Sequence, residues 1–177
     1  MGIHEFLNYD PLPYLESSEE PWVRYNLKLL CGEDSSKEFK ELTADPRIQL
    51  LIDECIRWPD PPIKRHNDAK HLIHKIEMLA DMGLDIRDKW INAICNLIME
   101  NRTEDCYFAS KVEIPERWGG KDTWTMEWMQ CDSPILLYAL LKFGIENEFT
   151  DEAARMMVWN VENNGWRCRS RSEERRV

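Results

Sequence analysis

The stretch LADMGL at 79–84 returns as LLKFGI at 140–145, a shift of 61 residues that sets Leu79 on Leu140 and Gly83 on Gly144. This match limits the fold more than any other feature of the chain. With one residue inserted, ENRTEDC at 100–106 falls on ENNGWRC at 162–168, so Glu100 meets Glu162 and Cys106 meets Cys168. Apolar residues meet apolar residues in between: Ile91 on Ala153, Ile94 on Met156, Leu97 on Trp159, Met99 on Val161. The repeating unit reads as helix, glycine turn, capped helix, and an exit loop that carries cysteine. Such a hairpin cannot cover its own apolar face, so copies stack on one another.

Helix signals continue outside the repeat. EEPWVRYNLKLLCG opens with Pro21 in a first-turn position and closes at Gly32, a glycine exit. SSKEFKEL is a short helix with a serine start. DPRIQLLIDECIRW starts with Asp45 as N-cap and Pro46 at the first helical position. WPDPPIK forbids helix, since each proline restricts the residue before it. In NDAKHLIHKIEMLADMG, residues Leu72, Ile73, Ile76, Leu79 and Ala80 share one helical face. Asp85 is the expected cap of IRDKWINAICNLIME, with Asp88 completing a weak capping box. Ser133 is the expected cap of the helix at 134–142, and Thr150 that of the last helix. Residues 135–141 are apolar all round, which predicts burial on every side. No stretch shows a convincing period of two. Residues 101–130 read as a long irregular connection, rich in aromatics and therefore ordered. The expectation is an all-α fold of stacked antiparallel hairpins over 1–166, followed by a disordered charged tail over 167–177.

Composition removes whole classes of function. The formal net charge is −10 over 177 residues, and an acidic surface repels nucleic acid and anionic membranes. The arginines of the tail (Arg167, Arg169, Arg171, Arg175, Arg176) are interrupted by acids and make a poor nucleic-acid patch. No apolar run reaches the roughly 18 residues of a membrane span, and the first residues fit neither a secretory signal nor a myristoylation site. The expected setting is the cytoplasm. There the six cysteines are thiols or metal ligands rather than disulfides, although no Cys-x-x-Cys occurs.

ARMMVWNVENNGWRC at 154–168 resembles the repeat end of the terpenoid cyclase and protein prenyltransferase α/α-toroid superfamily, in which a helix closes into a Gly-Trp or Gly-Phe turn. CDSPILLYALLKFGI resembles the inner helix of that repeat. EEPWVRYNLKLL followed by DPRIQLLIDECIRW resembles the N-terminal part of small prokaryotic squalene-cyclase-like proteins. Asn160 stands where the repeat carries glutamine, and Asn164 where it carries glycine. The resemblance implies a partial α/α-toroid that binds an apolar or prenyl-like ligand. Neither the Asp-x-Asp-Asp acid motif nor the Asp-Asp-x-x-Asp diphosphate motif is present. A closed toroid also needs more hairpins than this chain offers. A non-enzymatic scaffold is the competing reading: an open apolar edge takes a protein partner or a second copy of the chain.

Three side-chain sets carry the chemical alternatives. In the prenyltransferase branch zinc is held by Asp, Cys and His at inner-helix ends, which implies Cys131, Asp132, Cys168 and His71 here, His71 and Asp132 starting equivalent helices. The opposing reading makes Asp132 a surface cap, the cysteines small fillers and His71 exposed. A second set is His71 and His74, three apart on a helix with His66 upstream; this spacing grips a metal or lines a solvated face. The third set, Tyr107, Phe108, Trp118, Trp124 and Trp128, either walls an apolar pocket or caps the core beneath a loop. Trp166 is expected to plug the last hairpin end.

Overall fold

The computed structural model describes residues 9–118, 123–162 and 165. Among these, eight helices and two strands follow one another: α1 (Leu12–Glu16), α2 (Pro21–Cys31), α3 (Ser36–Ala44), α4 (Pro46–Cys55), α5 (Leu72–Asp81), α6 (Lys89–Glu100), β1 (Ser110–Glu113), β2 (Trp124–Glu127), α7 (Ser133–Lys142) and α8 (Glu148–Trp159). The all-α expectation is therefore corrected to α+β, because β1 and β2 form an antiparallel sheet with Ser110 opposite Glu127 and Glu113 opposite Trp124. The connection expected to be irregular contains this hairpin. Each strand is four residues long, and β2 keeps no side chain fully buried. Strands so short give the apolar alternation too few positions to show.

Helix starts follow the sequence in part. Asp45 caps α4 by accepting from the Arg47 N–H at 2.8 Å. Asp85 does not cap α6. Its carboxylate accepts from the Arg87 N–H and side chain, and Asp88 accepts from the N–H groups of Trp90 and Ile91. Asn147, not Thr150, caps α8, and Thr150 closes a reciprocal capping box with it. In α7 the run of apolar residues is buried at Leu136, Leu137, Ala139 and Leu140, while Tyr138 and Leu141 reach solvent.

The duplication persists in three dimensions, with a corrected register. Helices α5 and α7 each have ten residues and end alike. Gly83 (φ +90°) and Gly144 (φ +94°) follow, and the next N–H groups reach back to Leu79 O and Leu140 O at 3.3 and 2.9 Å. This six-to-one bond closes a helix through a left-handed residue. Helix α2 ends in the same way, with the Glu33 N–H on Lys28 O at 2.9 Å. The second helices, α6 and α8, correspond at a shift of 59. Their caps Asp88 and Asn147 pair at that shift, as do the buried residues Ile91 with Thr150, Ile94 with Ala153 and Ile98 with Met157. Asn101 and Asn160 then end the helices identically, each donating to the carbonyl four residues back. The sequence match assumed an inserted residue, whereas the second turn is two residues shorter. The resulting error of three residues is close to one helical turn, so apolar positions still met apolar positions.

One core runs through the molecule. It joins Ile48 and Ile52 of α4, Ile73, Ile76 and Leu79 of α5, Ile91, Ile94 and Ile98 of α6, and Leu136 and Leu140 of α7. Helix α5 packs between α4 and α7. No helix among the described residues is long and apolar enough to cross a membrane.

Candidate metal centre

The sheet brings two distant parts of the chain to the start of α7. The Ile63 N–H donates to Lys111 O at 2.7 Å, and the Glu113 N–H returns to Ile63 O at 2.9 Å. This fixes the 61–66 segment along β1. On the other side the Phe108 N–H donates to Ser133 Oγ at 3.1 Å, while β2 runs through buried Met129 into a turn at Cys131 and Asp132. The N–H groups of Asp132 and Ser133 both return to Met129 O. His66 is held further by His74, whose Nε2–H donates to the His66 carbonyl at 2.8 Å.

Asp132 occupies the N-cap of α7 without capping it. Aspartate at this position ordinarily accepts from the first free N–H groups of its helix. Here the backbone sits at φ −102°, ψ −42°, no side-chain cap bond forms, and a proline stands in the first turn. The carboxylate turns to His66 instead. Its Oδ1 lies 2.9 Å from His66 Nδ1, and its Oδ2 is buried with no hydrogen-bond partner. The residue is 2% exposed. A buried carboxylate oxygen left unmatched costs on the order of 1–3 kcal/mol, and the forgone cap adds about 1 kcal/mol. Two such costs at one residue make it a candidate functional position. The hydrogen bond that His66 donates to Asp132 raises the pKa of His66, with desolvation of the ring opposing it.

Cys131 completes the cluster. The ligating atoms of His66, Cys131 and Asp132 all lie within 4.8 Å of one another. Cys131 and His66 both reach solvent and Asp132 is buried, so the cluster runs from the surface to the edge of the core. A zinc ion bonds nitrogen, oxygen and sulfur at about 2.0–2.3 Å in a tetrahedron, and three protein ligands leave one position open. The donor types fit this group: His66 Nδ1, Cys131 Sγ and the orphaned Asp132 Oδ2 would hold the ion, which would take the place of the hydrogen bond between His66 and Asp132.

The ligand set expected from the sequence is thus partly assembled. Cys131 and Asp132 come together, and His66 joins them in place of His71. His71 is buried, and both its ring nitrogens are engaged. Nδ1 accepts from the Ile73 N–H at 3.3 Å and Nε2–H donates to Pro61 O at 2.9 Å. Its edge meets the Trp58 ring. His74 serves the His66 loop rather than sharing a ligand with His71. Cys168 and Trp166 lie outside the described residues. The sequence offers His66 beside His71 and His74 but gives no sign of its partner, which is 66 residues away and meets it through the Ile63–β1 pairing and the His74 bond to the His66 carbonyl.

The four described aromatic side chains of the expected set have different surroundings. Tyr107 and Phe108 are buried in the core. Trp128 stacks on Tyr107 with ring centroids 3.8 Å apart. Trp124 is exposed on β2, where Lys111 Nζ stands 4.1 Å from its ring centroid. The side chain of Trp118 lies outside what is described.

No family model matches the chain, and neither a curated protein nor a solved structure matches it.

Proposed function

We propose that the protein binds zinc through His66, Cys131 and Asp132, in a site that keeps one coordination position open. The single observation that carries this reading is the buried Asp132 carboxylate. It gives up its helix cap, faces His66, and leaves Oδ2 without a partner. The resemblance to the prenyltransferase branch, whose zinc takes Asp, Cys and His, supports the same donor chemistry. An open position suits a metal that meets a substrate or water rather than one that only staples a fold. A reducing compartment such as the cytoplasm keeps Cys131 available as a thiolate ligand.

The other two readings draw on less. An apolar or prenyl-like ligand would need the aromatic residues to share a wall, and Tyr107, Phe108 and Trp124 face different surroundings. A protein-interaction scaffold would use exposed residues such as Val158 and Trp159 of α8, and nothing in their chemistry identifies a partner.

The test is metal content of the purified protein, with equilibrium dialysis against zinc for wild type, His66→Ala and Asp132→Asn. One zinc per wild-type chain, lost in both variants, is the expected result. Equal zinc binding by all three proteins would refute the assignment.

A further inference from the structure

We propose that, among the described cysteines, Cys131 is the peroxide-sensitive thiol and that its oxidation releases the metal held with His66 and Asp132. This inference rests on the zinc reading above. Of the three donors only sulfur is oxidised under mild conditions. Cys131 reaches solvent whereas Asp132 is 2% exposed, so the cluster is open to a small oxidant on the side of Cys131 and not through the core.

The chain carries its own comparators. Cys55 and Cys95 are fully buried, and burial pushes both thiols up to about 12, which keeps them protonated and unreactive. Cys31 is exposed, but the only His/Cys/Asp/Glu cluster of metal-holding geometry among the described residues is the one containing Cys131. Cys106 is half-buried, with Sγ turned to Glu104 O at 3.8 Å. Exposure and a coordinating environment therefore coincide at Cys131.

The step balances with a peroxide as the oxidant. The thiolate electron pair attacks one peroxide oxygen and forms an S–O bond as the O–O bond breaks. Sulfur loses two electrons and becomes a sulfenic acid. The departing hydroxide takes one proton from solvent and leaves as water. Neutral sulfenic acid is a poor ligand, and His66 and Asp132 alone hold zinc weakly. They return to the hydrogen bond that joins them at 2.9 Å.

The experiment loads full-length wild type and Cys131→Asp with zinc, adds hydrogen peroxide, and follows release with a chromogenic chelator. A sulfenic-acid trap is present, and modified peptides are mapped by mass spectrometry. Aspartate at 131 keeps an oxygen donor that peroxide does not attack. Wild type is expected to lose its zinc with the trap on Cys131, while Cys131→Asp releases it about tenfold more slowly or not at all. Release from Cys131→Asp at the wild-type rate overturns the proposal. So does wild-type release with the trap on another cysteine and none on Cys131, a readout that stands even if the variant fails to fold or to load. Zinc that stays bound while peroxide is present defeats this inference alone. Absence of zinc before peroxide is added defeats the metal reading, and this inference with it.

Discussion

At the start of α5, His71 folds its ring back onto its own helix and accepts from the Ile73 N–H. At the start of α7, Asp132 sits in the equivalent place, 61 residues on, and turns its carboxylate away to His66. Both side chains are buried, and both follow a loop tied to β1 or β2. Aspartate is by far the better cap of the two residue types, yet it is histidine that caps. Equivalent backbone positions thus differ in what their side chains do: one closes a helix end, and the other leaves its end uncapped and faces His66. A residue that could satisfy its own helix and instead stays unmatched points to an external partner more firmly than a residue type or spacing does.

The largest expected effect separates these two tasks through zinc. With zinc about a thousandfold above its Kd, wild type should gain about 4 kcal/mol of stability by mass action. Asp132→Ala should gain nothing from the same addition. His71→Ala should gain as much as wild type, because His71 is not in the donor set. Thermal melts with zinc and with a chelator measure all three. A zinc response that His71→Ala loses and Asp132→Ala retains would reverse the roles assigned to the two helix starts.

The second contrast lies at the helix ends. Gly83 and Gly144 share the left-handed conformation, so alanine at either should cost about 1–2 kcal/mol in backbone strain. Their surroundings differ. A Cβ at Gly83 would stand 2.8 Å from Tyr25 Cε1, whereas at Gly144 the nearest atom is Ile86 Cγ1 at 3.9 Å. Tyr25 cannot yield easily, since it is 2% exposed, packs on Phe39 and takes a hydrogen bond from Arg87. Overpacking adds on the order of 1–3 kcal/mol, which brings Gly83→Ala to about 3 kcal/mol. Urea titrations giving equal losses for the two variants would show that the Tyr25 contact does not distinguish the copies.

Sequence alone made the helical half of this molecule legible. Pro21, Asp45 with Pro46, Gly83 and Gly144 each impose a local backbone condition, and each stands at or beside a helix end as expected. Choosing between Asp85 and Asp88 was beyond local reasoning, because the choice turns on where the Arg87 side chain goes. The strands were missed for lack of length. With them went the pairing of Ile63 to β1, the contact that places His66. Cys131 and Asp132 entered as candidate donors through the resemblance to the prenyltransferase branch, which implies such residues at inner-helix starts. Their third partner depended on a closure across 66 residues that leaves no periodic trace.

His71→Ala sharpens the comparison from the other side. The variant loses a cap, and the Pro61 carbonyl loses its donor, so it should be destabilised by about 1–2 kcal/mol in zinc-free protein. Asp132→Asn should change zinc-free stability less than this, since it removes a buried charge without removing a cap. Chelator-treated melts check the order, and a larger zinc-free loss for Asp132→Asn would mean that its carboxylate is structural.

The smallest effect tests how far the duplication extends. Beyond α6 the Cys106 N–H donates to Thr103 O at 3.0 Å, and beyond α8 the Gly165 N–H donates to Glu162 O at 3.0 Å. The two turns correspond at the same shift of 59 that aligns the helices. This replaces the sequence pairing of Cys106 with Cys168. Cys106 has φ +67° and Gly165 has φ +94°, so one copy places a cysteine where the other uses the residue that tolerates this conformation. Relieving the strain at Cys106 is worth about 1–2 kcal/mol, offset by roughly 0.4–1 kcal/mol from the greater freedom of glycine in the unfolded chain. Cys106→Gly should therefore stabilise by up to about 1 kcal/mol, and Gly165→Ala should destabilise by a similar amount, since a Cβ there meets nothing within 4 Å and only backbone strain remains. Opposite signs in paired denaturant titrations would establish the two exits as copies. A loss of stability in Cys106→Gly would show instead that the cysteine side chain is needed where it stands.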